Sequence, residues 1–187
     1  MSKILICVDC QYDFMEGGNL PVNGGKKAMQ FLSRYVARHA HQYDVIICTL
    51  DWHPAGHCSF TEQGGQWPKH CVQHSHGAAL FQPLYDVLPI NKLHIFEKGV
   101  SIDKDEYSFL NNAQNLKRFS RLLKTYAPEQ IDVCGIAGDV CVMNTITDLL
   151  MLDDALNVAV ITPAVASLDD SVTNAFIDHN SLKVIKR

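Results

Sequence analysis

Short apolar runs recur along the chain, separated by stretches in which apolar residues return every third or fourth position. KILICV (3–8), VIICTL (45–50), LHIFEK (93–98), IDVCGI (131–136), NVAVIT (157–162) and LKVIK (182–186) predict six strands. KKAMQFLSRYVARHAH (26–41) places Ala28, Leu32, Tyr35, Val36 and Ala40 at helical spacing. NLKRFSRLLKTY (115–126) places Leu116, Phe119, Leu122, Leu123 and Tyr126 on one face, and Pro128 stops it. CVMNTITDLLMLDDA (141–155) and DDSVTNAFIDH (169–179) predict two more helices. The last has an acidic first turn, which complements the helix dipole. Apolar strands alternating with helices specify a mainly parallel sheet covered on both faces. We therefore expect a three-layer, six-stranded, Rossmann-like α/β domain spanning 1–187.

Residues 51–92 break the pattern. They carry Pro54, Pro68, Pro83 and Pro89 and no clean periodicity. Irregular segments of this length inside a compact domain are usually functional. In open parallel sheets, ligands bind beyond the carboxyl ends of the strands. Asp9, Asp51 and Lys98 end three of the predicted strands, and Cys141 follows a fourth by a short loop. Four chemically capable side chains thus come from four strands to one edge, which marks a site.

Composition narrows the partners. Net charge is −4 and no lysine–arginine cluster gives nucleic acid an electrostatic footing. The opening MSKILICVDC lacks the pattern of an export signal, and no apolar run is long enough to span a membrane. Seven cysteines without framework spacing fit free thiols in a reducing, cytoplasmic setting. Cys7, Cys48 and Cys134 fall inside strands and read as core. Oligomeric state is open, with a homo-oligomer compatible.

Cys141 stands after a glycine-rich turn at an expected helix N-terminus, where free N–H groups and the dipole favour a thiolate. Asp9 could take its proton, with Asp13 a competing base; Lys98 could stabilise the thiolate or keep Asp9 ionised. Cys10, beside Asp9, could line the site. In TLDWHPAGHCSF (49–60), Pro54 and Gly56 exclude the helix that would pair His53 with His57. In an extended stretch, Asp51 and His53 point the same way. His70 arrives after the turn at Gly64–Gly65. His57, Glu62, Cys58 and Cys71 are further donors. Oxygen and imidazole ligands suit Zn, Fe(II), Mn or Co. His39, His41, His74, His76, His94 and His179 read as surface residues.

VDCQYDF (8–14), DWHPAGHCSF (51–60), WPKHCV (67–72), EKG (97–99) and GIAGDVCV (135–142) together resemble the ordered motifs of nicotinamidases, within the isochorismatase-like cysteine hydrolases. The resemblance runs from the first strand to PAVAS (163–167). It implies hydrolysis of nicotinamide to nicotinate and ammonia, with pyrazinamide accepted, in the service of NAD salvage. It implies a catalytic triad of Asp9, Lys98 and Cys141. It implies one divalent ion, zinc before iron, manganese or cobalt, on Asp51, His53 and His70, with Glu62 and then His57 as candidates for a fourth ligand. It also implies a cis peptide between Ile136 and Ala137 and an oxyanion hole from the N–H groups of Ala137 and Cys141. Phe14, Leu20, Trp67 and Tyr107 match the ring pocket. Two other readings remain open: an amidase of the same superfamily acting on another small amide, such as an N-carbamoyl compound, and a non-enzymatic ligand-binding relative.

Overall fold

The six apolar runs pair into one sheet. In the computed structural model, which describes residues 2–153 and 155–186, the strands are β1 (Lys3–Val8), β2 (Val45–Asp51), β3 (Leu93–Lys98), β4 (Gln130–Ile136), β5 (Val158–Ala166) and β6 (Lys183–Ile185). All five pairings are parallel and the order is β3-β2-β1-β4-β5-β6. The chain winds outward from β1 to β3, then returns to the other side of β1 and winds outward again. The switch point therefore lies between β1 and β4, where a crevice opens at the carboxyl ends.

Alternation along each strand divides the core in two. Leu5 and Cys7 face one side of the sheet, packed with Met29, Leu32 and Val36 of α1 (Gly25–His39) and Leu84 of the short α2 (Gln82–Tyr85). Ile4, Ile6 and Val8 face the other side. There they meet Phe119 of α3 (Ala113–Tyr126), Ile146 and Leu149 of α4 (Met143–Leu152) and Ile177 of α5 (Asp170–His179). Burial of a large aliphatic or phenylalanine side chain is worth about 1.5–3 kcal/mol, so both helical layers are anchored. Cys7, Cys48 and Cys134 are fully buried in the first layer.

Three elements depart from the sequence expectation. α3 starts at Ala113, because the Asn112 side chain accepts the N–H groups of Gln114 and Asn115. β5 runs on to Ala166 through Pro163, where its register against β4 shifts between Val133 and Gly135; an irregularity is where a strand tolerates proline. The predicted helix at 141–155 divides: a π-helical turn at Gly138–Val142 precedes α4, which ends at Leu152. Asp154, within the expected span, lies outside the described residues. Among the described residues no helix is long and apolar enough to cross a membrane.

Between Trp52 and Lys92, short helical turns are tied to one another by isolated bridges, His53 with Val72 and Phe60 with Trp67, and to the loop after β1 by Gln11 with Leu80.

Candidate active site

At the switch crevice, β1 ends and the chain turns away with Asp9 at φ +48°. The Thr49 hydroxyl donates to Asp9 Oδ1 (2.7 Å). Lys98, fully buried at the end of β3, reaches across β2. Its Nζ lies 2.9 Å from Asp9 Oδ2, 2.5 Å from Asp51 Oδ1 and 3.5 Å from Cys141 Sγ. Cys141 sits in the π-helical turn after β4, and the Ile136–Ala137 peptide that enters this turn is cis. The N–H groups of Val140 and Val142 both return to the Ala137 carbonyl (3.1 and 3.0 Å).

The electrostatics of this cluster follow from burial and one shared cation. Burial works to lower Lys98, but the carboxylates of Asp51 and Asp9 outweigh it and hold the ammonium well above its ordinary range. Asp51 gains more from Lys98, His53 and His70 than burial costs it, and stays well below the usual carboxyl value. Asp9 goes the other way: burial, reinforced by Asp51, exceeds the pull of Lys98 and raises it. Burial likewise raises the Cys141 thiol, with Lys98 opposing and Asp9 and Asp51 adding to the rise. Burial and the two carboxylates thus work against the thiolate that the helix terminus was expected to favour, and Lys98 is the group that opposes them.

Next to the cluster, Asp51 turns its second oxygen toward two imidazoles. Nε2 of His53 and of His70 each lie 3.7 Å from Asp51 Oδ2. The other nitrogen faces a carbonyl in both rings: His53 Nδ1 meets Gly99 O (3.0 Å) and His70 Nδ1 meets Pro68 O (2.7 Å). A carbonyl only accepts, so each Nδ1 carries the proton and each Nε2 offers a lone pair. Donor atoms of the three residues all lie within 4.8 Å of one another. Two ligand bonds of about 2.0–2.2 Å span the 3.7 Å separations, so these residues fit a divalent ion. Gly99, at φ +62°, leaves room for this: a Cβ there would strike the His53 ring.

The candidates for a fourth ligand fall elsewhere. Glu62 is exposed on a short turn, outside the cluster. His57 is fully buried and stacked on His53, with ring centroids 4.1 Å apart. Its Nε2 donates to the Lys104 carbonyl (3.0 Å), so its Nδ1 accepts, taking the Ser59 hydroxyl (2.7 Å). Both nitrogens are engaged, and the expectation of His57 as a ligand is corrected on that ground. Asp13, the competing base, is also committed: its oxygens accept the N–H groups of Asn19 (3.0 Å) and Cys71 (2.7 Å).

Above both clusters lies a cavity lined by Phe14, Leu20, Trp67 and Tyr107. Cys141, Ala137, Asp51, His53 and His70 also reach it. Trp67 Nε1 donates to the Tyr107 hydroxyl (3.2 Å), tying two walls together. Sequence reasoning missed Thr49, Asp105 and Leu168. Thr49 carried a signal, since it stands two residues before Asp51 on the same strand. Leu168 carried none: it reaches the cavity because the Asp139 carboxylate, in the turn of Cys141, accepts the N–H groups of Leu168 (3.0 Å) and Asp169 (2.8 Å).

An isochorismatase domain matches residues 3–185. A nicotinamidase/pyrazinamidase from Mycobacterium tuberculosis is 36% identical over 91% of this chain and 90% of its own length. A pyrazinamidase of Pyrococcus horikoshii, solved in complex with zinc, superposes with a TM-score of 0.86 at 29% identity, covering 100% of each chain. A protein from L. infantum, solved in complex with nicotinate, gives a TM-score of 0.82 at 30% identity over 99% of this chain and 92% of the other. The chain belongs to the isochorismatase domain family.

Proposed function

We propose that this protein is a metal-dependent nicotinamidase, converting nicotinamide to nicotinate and ammonia through a Cys141 thioester, accepting pyrazinamide, and serving cytoplasmic NAD salvage. One observation carries the reading: a single cavity is lined by Cys141, which Lys98 joins to the buried Asp9 behind it, and by the Asp51–His53–His70 cluster beside it. The relatives named for nicotinamide and pyrazinamide hydrolysis support the substrate class.

Phe14, Leu20, Trp67 and Tyr107 clasp the flat heteroaromatic ring and keep water from its faces. Asp51, His53 and His70 would hold a divalent ion, zinc before iron, manganese or cobalt, which when bound supplies a Lewis acid for the ring nitrogen. A ring fixed in this way presents its carboxamide carbon to Cys141, and such positioning removes much of the entropic barrier.

Asp9 accepts the thiol proton while the sulfur attacks the carboxamide carbon. The carbonyl oxygen, now negative, is met by the backbone N–H groups of Ala137 and Cys141; one such donor is typically worth about 10²–10³-fold. Asp9 hands its proton to the amide nitrogen, the C–N bond breaks, ammonia leaves and the thioester remains. Water then attacks the thioester and gives a proton to Asp9. The C–S bond breaks, the sulfur regains the proton, and nicotinate departs. Lys98 stays charged throughout, steadying the Asp9 carboxylate and the transient thiolate.

The test is ammonia release from nicotinamide, with metal content measured on the same sample. Cys141→Ala should lose at least about 10³-fold in turnover while retaining its metal. Turnover surviving in that variant, or faster ammonia release from N-carbamoyl amides than from nicotinamide, overturns the reading.

A further inference from the structure

Residues 9, 11 and 13 alternate along VDCQYDF, and all three are buried. Asp9 belongs to the reacting cluster. The other two grip the backbone beneath the ion-binding residues.

β1 ends at Val8, two residues short of the position that its register would set opposite Asp51 at the end of β2. The N–H and C=O of Asp51 therefore face β1 with no strand opposite. The Gln11 side-chain amide takes that place: its Oε1 accepts the Asp51 N–H (2.8 Å) and its Nε2 donates to the Asp51 carbonyl (2.7 Å). The same Nε2 donates to the Ala78 carbonyl (2.9 Å), from the irregular segment. One fully buried amide thus extends the ladder by a residue and fixes Asp51, whose carboxylate divides between Lys98 and the two imidazoles.

Asp13 does the same for the histidines. Its Oδ2 accepts the N–H of Cys71, the residue after His70 (2.7 Å). The carbonyl of Cys71 in turn accepts the N–H of His53 (3.0 Å). Cys71 is held at φ +44° between them. Gly77 admits the carboxylate, because a Cβ at that position would collide with it.

We infer that Gln11 and Asp13 are positioning residues for the metal centre, setting the backbone of Asp51 and of the His53–Cys71–His70 unit so that three donor atoms converge before any ion arrives. This rests on the proposed metal-dependent reading. Neither side chain touches the donor atoms; both act through peptide groups. A role confined to folding would lower thermal stability without altering zinc affinity in the folded protein, so affinity is the discriminating measurement.

The experiment is competition between a chromophoric chelator and metal-free protein for zinc, held well below the melting temperature of the metal-free form. Gln11→Glu keeps the acceptor for Asp51 N–H but turns a carboxylate oxygen on two carbonyls. Asp13→Asn keeps only one of two acceptors. Each should weaken zinc affinity by about 10–100-fold. Gln11→Met, similar in shape and uncharged, is read the same way if Gln11→Glu does not fold. Zinc affinity within threefold of wild type in the folded Gln11 and Asp13 variants overturns the inference. Wild type assayed alongside separates the two failures: if it binds no zinc and releases no ammonia, the functional reading falls and this inference with it.

Discussion

Asp9 and Lys98 leave the ends of sheet strands and Cys141 follows β4 by a single turn, whereas His53 and His70 come from a stretch with almost no regular structure. Cys141 and the second group line one cavity, and the two groups meet at one ion pair, Lys98–Asp51. Their supports differ. The first is placed by parallel strands of six or seven residues beneath it. In the second, Asp51 ends β2 beside Lys98, but the two histidines are placed by single hydrogen bonds: the Gly99 and Pro68 carbonyls on the rings and Asp13 on the Cys71 peptide. A ladder spreads strain over many bonds, while a singly held loop loses its geometry when one bond goes. The reacting group is therefore robust in position, and the metal group depends on each contact.

Lys98→Met should break both regions at once. It leaves Asp9 and Asp51 buried together without a cation, and removal of one partner from a buried pair typically costs about 3–5 kcal/mol. Unfolding in urea should show that loss, with hydrolysis of nicotinamide abolished.

A matched pair of variants separates the regions. Asp9→Asn should cut kcat by about 10²–10⁴-fold with zinc affinity little changed. His70→Ala should lose zinc binding first and show it as a raised KM, while the reacting cluster stays assembled. If Asp9→Asn lost zinc as fully as His70→Ala, the two regions would be one unit and the contrast would fail.

The smallest effect is expected at the residues that sequence nominated for a fourth ligand. Glu62→Ala should leave both activity and zinc affinity unchanged. His57→Phe keeps the stack on His53 but loses the bonds to Ser59 and Lys104, so stability should fall by about 1–3 kcal/mol with zinc affinity within threefold of wild type. A tenfold loss of zinc in either variant would return that residue to the ligand set.

These outcomes also mark where reading the chain stops. Asp9, Asp51 and Lys98 were legible because an apolar run ends at each, and a strand's direction carries its last side chain to the carboxyl edge. Asp51 and His53 were legible as neighbours because alternate residues of extended chain share a side. His57 was misread for a physical reason: which partners an imidazole takes is decided by groups such as the Lys104 carbonyl, 47 positions away. Asp13 stayed a competitor to Asp9 for the same reason, since the N–H that claims its Oδ2 lies 58 positions on. The raised Cys141 thiol was out of reach too, because burial and two nearby carboxylates exist only once four strands are assembled.

By itself the sequence determined the local and periodic features: six strands, the helices between them, the parallel sheet, and the edge at which the chemistry collects. Hydrophobic spacing suffices for these because each depends on residues a few positions apart. Only the tertiary structure decided which polar groups are partners: that Gln11 completes a strand it does not belong to, that Asp13 holds a peptide instead of taking a proton, and that His57 stacks behind the site. Buried polar groups must each find a bond. Which bond they find is set by whatever the fold has brought within about 3 Å, and no spacing along the chain encodes that distance.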